Sequence, residues 1–187
     1  MAVSIGGGPN NDFRNPLGLL GDCHRRIEYF LRLLVVVTDR TQGGSLDEEE
    51  RRALEAALRY FRMAAPKHTL DEEESLFPRM RASSNPQSQA ALAMLDALHA
   101  EHELADELHR QVEVVAGRWL EQGSLSSKHA HRLADLLDEL SEIYKKHIAI
   151  EDGELFPLAE RVLDPVEIEA LGCEMAARRG IDLNRNE

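Results

Sequence analysis

KHTLDEEESLFP, residues 67–78, sets a histidine four residues before a glutamate and ends on Leu-Phe-Pro. KHIAIEDGELFP, residues 146–157, repeats it. His68 and Glu72 recur as His147 and Glu151, and Leu76-Phe77-Pro78 recurs as Leu155-Phe156-Pro157. On an α-helix, residues four apart lie about 40° from each other and about 6 Å along the axis, so each pair can reach one ion or cluster. The doubled motif reads as two copies of a helical unit, each offering an imidazole and a carboxylate from one face.

The rest of the chain supports a helical reading. Residues 1–13 read as a flexible tail, and residues 14–187 as one domain. Asn15-Pro16 opens a first helix running to about Thr38, because proline suits the first helical position. Ser45 and Glu48 have the spacing of a capping box for a second helix reaching about Met80, with Pro66 kinking it. Leu-Phe-Pro reads as the stop. SSNPQS is a loop. A third helix spans about Gln89 to Glu121 and ends at Gly123. The serines at 124–127 open a fourth, reaching about Phe156. Asp164-Pro165 with Glu167 starts a short fifth helix that ends at Gly180. Few windows alternate as strands do. The predicted fold is therefore all-α: an antiparallel up-down four-helix bundle made of two helical hairpins, with a short C-terminal fifth helix.

The 100° advance per residue also predicts which way the histidines face. Leu17, Leu20, Leu31 and Val35 fall within about 40° of His24. Phe61 and Ala64 accompany His68, Leu95 and Leu98 accompany His102, and Leu136, Leu140 and Ile143 accompany His147. Each long helix thus turns a histidine inward. His24 precedes His68 by 44 residues and His102 precedes His147 by 45, so the hairpins match in spacing. Four imidazoles and two carboxylates, from His24, His68, Glu72, His102, His147 and Glu151, would surround one centre. Nitrogen and oxygen donors suit iron, manganese or zinc. Two bridging carboxylates would offset the repulsion of two cations and leave an open coordination position.

The HxxxE spacing alone is common here: five of the eight histidines satisfy it. The signal lies in its doubling, with Leu-Phe-Pro at the same offset and matched upstream histidines. A lone inward histidine is more often a hydrogen-bonded core residue than a ligand. Six such groups without a cation would cost several kcal/mol of desolvation. His99 is a candidate additional ligand. Glu28, Asp106, Tyr144 and Glu154 are candidates for supporting the ligands or lining the pocket. His109 reads as a core residue, and His129 and His131 as solvated. Glu73 and Glu74 read as surface charge. No histidine has glutamate three residues before it, as ferritin-like ExxH sites require. His102-Glu103-Leu-Ala-Asp106 fails the HExxH test of zinc proteases.

Composition narrows the function classes. The formal charge of −12 argues against nucleic acid or an anionic membrane as partner. No apolar run is long enough to span a membrane. The N-terminal MAVSIGGGPNNDF lacks the basic and apolar regions of an export signal. The two cysteines, Cys23 and Cys173, form no framework. Cytoplasmic placement is the resulting expectation.

NPLGLLGDCHRRIEYF, HTLDEEESLFP, LHAEHELADEL and HIAIEDGELFP together resemble the hemerythrin-like HHE cation-binding family over about residues 14–160. The resemblance implies a four-helix bundle with a non-haem di-iron centre. Carried over by position, its ligands are His24, His68, Glu72, His102, His147 and Glu151. The third helix carries His99-Ala-Glu-His102, an HxxH where oxygen-carrying hemerythrins have HxxxH. The implied cofactor is two iron ions, ahead of manganese or zinc. The implied partners are O2, NO or peroxide, for oxygen or redox sensing, storage or stress response. One alternative is an enzyme acting on peroxide or ferrous iron. A second is an interaction module with a structural metal.

Overall fold

The computed structural model describes residues 11–183. All its regular elements are helical. They are α1 (Pro16–Thr41), α2 (Glu48–Met63), α3 (Ala65–Asp71), α4 (Phe77–Ala82), α5 (Pro86–Ala90), α6 (Leu92–Gln122), α7 (Ser127–Ile150), α8 (Phe156–Val162) and α9 (Pro165–Ala177). Two π-helical turns complete the set, Glu72–Leu76 and Glu151–Leu155.

Several boundaries differ from expectation, each for a local reason. The capping box before α2 is built by Asp47 and Glu50, not Ser45 and Glu48. The Glu50 amide donates to the Asp47 side chain at 2.8 Å, and the Asp47 amide donates to the Glu50 side chain at 3.0 Å. This start puts Glu48, Glu49 and Glu50 in the first turn, where the helix dipole favours anions. The expected kink becomes a break: α2 ends at Met63 and α3 begins at Ala65. Pro66 has no amide hydrogen, and its ring collides with the carbonyl four residues back. The expected loop SSNPQS runs into the start of α5, capped by Asn85, whose side chain accepts from the Gln87 amide at 2.9 Å.

Leu-Phe-Pro is not a stop. The chain stays helical through Pro78 and Pro157, into α4 and α8. Directly ahead of each proline the helix widens by one residue. The Phe77 amide donates to the Glu72 carbonyl, and the Phe156 amide to the Glu151 carbonyl. A proline ring cannot sit against the carbonyl of a regular α-turn, and the wider turn accommodates it. Both π-turns therefore begin on the glutamate of an HxxxE pair.

The chain forms two compact units. One consists of Met1–Arg26, Ala65–His99 and Ile148–Glu187. Its core includes Leu20, Leu76, Met80, Leu95, Leu155 and Leu171, all fully buried. Residues 1–10, most of the expected flexible tail, lie outside the described residues. Residues 11–13 are held in place: the Asn11 amide donates to Asp22 at 2.8 Å, and Phe13 packs on the core.

The other unit consists of Ile27–Ala64 and Ala100–His147. Leu54, Ala57, Trp119, Leu136 and Leu140 are fully buried there. Trp119 donates from its indole nitrogen to the Gly44 carbonyl at 2.8 Å, so the largest core side chain also anchors the turn after α1. Gly43 occupies that turn at φ 79°, a left-handed conformation that favours glycine. No described helix is long and apolar enough to cross a membrane.

Candidate metal centre

In the first unit, four side chains meet in the interior. His24 comes from α1, His68 from α3, and Glu72 and Glu151 open the two π-turns. Their exposures are 1%, 4%, 0% and 0%. One donor atom from each lies within 4.8 Å of all the others. Nε2 of His24 is 3.1 Å from Glu151 and 3.8 Å from Glu72, and Nε2 of His68 is 3.4 Å from Glu72. The His24 and His68 rings stand edge to face at 4.9 Å. Phe156, the phenylalanine of the second Leu-Phe-Pro, stacks on His24 at 5.3 Å.

Asp152 fixes the orientation of His24. It accepts from Nδ1 at 2.7 Å, which turns Nε2 toward the glutamates, the nitrogen whose proton a metal would replace. Burial opposes charge on this imidazole. The hydrogen bonds to Asp152, Glu151 and Glu72 outweigh burial and push its pKa up to about 12. The set thus strongly favours a positive charge at its middle. Two imidazoles and two carboxylates are also the donor chemistry of a first-row metal site. Without a cation, so many buried polar groups carry a large desolvation cost. The residues present fit a bound metal.

The second unit brings His102 and His147 together, with ring centroids 4.6 Å apart. His147 is buried and donates from Nδ1 to Glu101 at 2.9 Å, which fixes the orientation of its ring.

The remaining candidates have other surroundings. His99 is half-exposed and bonds Glu73 through Nδ1 at 2.8 Å. Glu28 is exposed on α1. Asp106 is exposed and pairs with Arg110 at 3.4 Å. Glu154 is exposed and lines a surface cavity of about 500 Å³ with Met94 and Arg161. The Tyr144 hydroxyl lies 3.0 Å from Nε2 of His109. His109 is partly buried: Phe61 stacks on it at 4.2 Å, and burial pushes its pKa down to about 4.

Asp152 and Glu101 were missed from the sequence. A signal existed for Asp152. Each paired glutamate is followed directly by a second acid, Glu73 or Asp152, and each of these holds the Nδ1 of a histidine. Glu101 has no counterpart in the other hairpin, where the residue before His24 is Cys23.

Comparison with known proteins agrees with the geometry. A protein of Haemophilus influenzae, described only as uncharacterized, is 29% identical over 170 residues, covering 90% of this chain and 92% of the relative. The profile of the hemerythrin HHE cation binding domain matches residues 15–159, which hold every side chain of the buried His/Glu set. The chain belongs to the hemerythrin HHE cation-binding family.

Proposed function

We propose that this protein is a non-haem di-iron protein that binds a small diatomic or oxidant ligand, O2, NO or peroxide, in oxygen or redox sensing, storage or stress response. The observation that carries the proposal is the buried set of His24, His68, Glu72 and Glu151, whose donor atoms converge within 4.8 Å. In this reading His102 and His147 would complete the set that holds the metal, together with His24, His68, Glu72 and Glu151. The helices form an antiparallel four-helix bundle around them, with α9 as the fifth helix. The chain works in the cytoplasm.

When bound, iron supplies the open coordination position and the one-electron chemistry. The protein supplies the rest. Asp152 and Glu101 hold their histidines with Nε2 directed to the ligand role. Phe156 covers the face of His24 and keeps water from it. The two carboxylates would offset part of the charge that two cations bring into the interior.

Reconstitution with ferrous iron under anaerobic conditions tests the proposal. Two irons per chain are expected, with an absorption change on adding O2, NO or peroxide. Both are expected to be lost in Glu151→Ala and His68→Ala. A chain that takes up no iron, or keeps it in both variants, overturns the reading.

Turnover of peroxide or ferrous iron is a second reading, favoured by Asp152. Its carboxylate is 42% exposed and bonds the buried His24, a path for protons between solvent and the site. Sustained peroxide loss at catalytic protein concentration supports turnover. Stoichiometric bleaching supports binding.

A further inference from the structure

Asp71 immediately precedes Glu72 and has no exposed surface. A carboxylate this deep needs charged partners. Both come from the turn that follows α9. Arg178 donates from Nη1 to Oδ1 at 2.9 Å, and Arg179 from Nη2 to Oδ2 at 2.7 Å. Arg178 also donates from Nη2 to the Ser75 hydroxyl at 2.6 Å. Ser75 lies inside the first π-turn and is fully buried. The turn that begins at Glu72 is therefore gripped on both sides, at Asp71 before the glutamate and at Ser75 behind it.

The second π-turn has no such grip at the corresponding positions, which are Ile150 and the exposed Glu154. The repeat thus does not account for Asp71. Nor does the family match, which ends at residue 159, before α9 begins.

We propose that Arg178 and Arg179 are positioning residues for the metal centre, holding the first π-turn through Asp71 and Ser75 so that Glu72 and His68 stay aimed at His24 and Glu151. The proposal rests on the metal-binding reading above. A metal site needs its donors held to about 0.5 Å. A π-turn is a rare conformation, and relaxation to the α register would swing Glu72 by about 100° about the helix axis. An arginine fork spanning Asp71 and Ser75 opposes that rotation, and its planar geometry is one that lysine cannot reproduce. The bland alternative is that α9 merely docks on the apolar core through Leu171 and Met175, both fully buried. Docking alone affects stability and not the ligands.

The full-length Arg178→Lys/Arg179→Lys double variant keeps the charges and loses the fork. Its first readout is hydrogen exchange of the Phe77 amide in metal-free protein, with Phe156 in the other π-turn as internal reference. The second is ferrous-iron affinity by chelator competition. Faster Phe77 exchange, unchanged Phe156 exchange and an affinity about 10–100-fold weaker are expected. Leu171→Ala, which loosens the apolar face of α9, is expected to lower the melting temperature with little change in affinity. Unchanged exchange and affinity in the double variant overturn the proposal, as does an equal loss of affinity in Leu171→Ala. Should the double variant fail to fold, Ser75→Ala removes one hydroxyl; faster Phe77 exchange supports the proposal and unchanged exchange overturns it. A wild-type chain that takes up no iron overturns the metal reading and the proposal with it. A wild type that binds iron, with unaffected variants, overturns the clamp alone.

Discussion

Asp152 accepts a hydrogen bond from Nδ1 of His24 at 2.7 Å, while Nε2 of the same ring faces Glu151 at 3.1 Å. The two acids are neighbours in sequence and serve opposite sides of one imidazole. One sets the tautomer, and the other shares the space a cation would fill.

Asp152→Ala removes the acceptor and leaves all four converging side chains in place. Partners of this kind are worth about 10–100-fold in metal affinity, so a loss of that order is expected, with Asp152→Glu recovering part of it. Chelator competition on the ferrous form measures both variants. Wild-type affinity in the alanine variant would show that His24 needs no support from behind.

The charge state of His24 sets a pH dependence. Its pKa, pushed up to about 12, exceeds the unfolded value of about 6.5. The metal-free folded chain therefore holds a proton that the unfolded chain has released between those values. This contribution to stability is complete below about pH 6.5 and disappears as pH rises toward 12. A metal takes the neutral ring, so uptake must expel the proton. Affinity is expected to rise about tenfold per pH unit near neutrality for each proton released. Calorimetry in two buffers of different ionisation enthalpy should find at least one proton released per chain at pH 7. No net release would mean that His24 is already neutral in the metal-free site.

The inward face of the site was legible because helical geometry is simple. Counting 100° per residue turns His24 toward Leu20 and Leu31, and all three are buried. The proline after each HxxxE pair was visible too, but its effect was not. A proline in a helix can end it, kink it or widen it. Pro66 breaks the helix, whereas Pro78 and Pro157 follow π-turns and let it continue. Leu76, Phe77, Leu155 and Phe156 are all buried, and continuing the helix keeps them so. Local sequence does not carry that information. The Asp71 cluster was illegible for a similar reason, since its arginines stand more than a hundred residues away in the chain.

His109 predicts acid sensitivity. Burial lowers its pKa to about 4, below the unfolded value of about 6.5. Between these values the unfolded chain binds the extra proton, so stability falls as pH falls through that window. The full effect is on the order of 3 kcal/mol, at about 1.4 kcal/mol per pH unit. Urea unfolding of metal-free protein from pH 7.5 to 4.5 is expected to show a shallower pH slope in His109→Gln than in wild type. Identical slopes would place the acid-sensitive group elsewhere.

Gly172 tests how the N-terminal residues meet α9. A Cβ built there would collide with the Phe13 carbonyl oxygen and stand 3.1 Å from its carbon. These are backbone atoms, so no rotamer change relieves the clash. Gly172→Ala must push residues 11–13 away from α9. The Phe13 ring would leave its place on the core and 5.8 Å from the Arg179 guanidinium. Overpacking of this kind costs about 1–3 kcal/mol. Alanine favours the helix itself by about 1 kcal/mol over glycine, which offsets part of that cost. A net loss of stability is therefore expected, together with faster amide exchange at Asn11 and Asn15, whose amides are bonded to Asp22 and to the Asp12 carbonyl. A variant as stable as wild type with unchanged exchange would mean that Phe13 does not lie against α9.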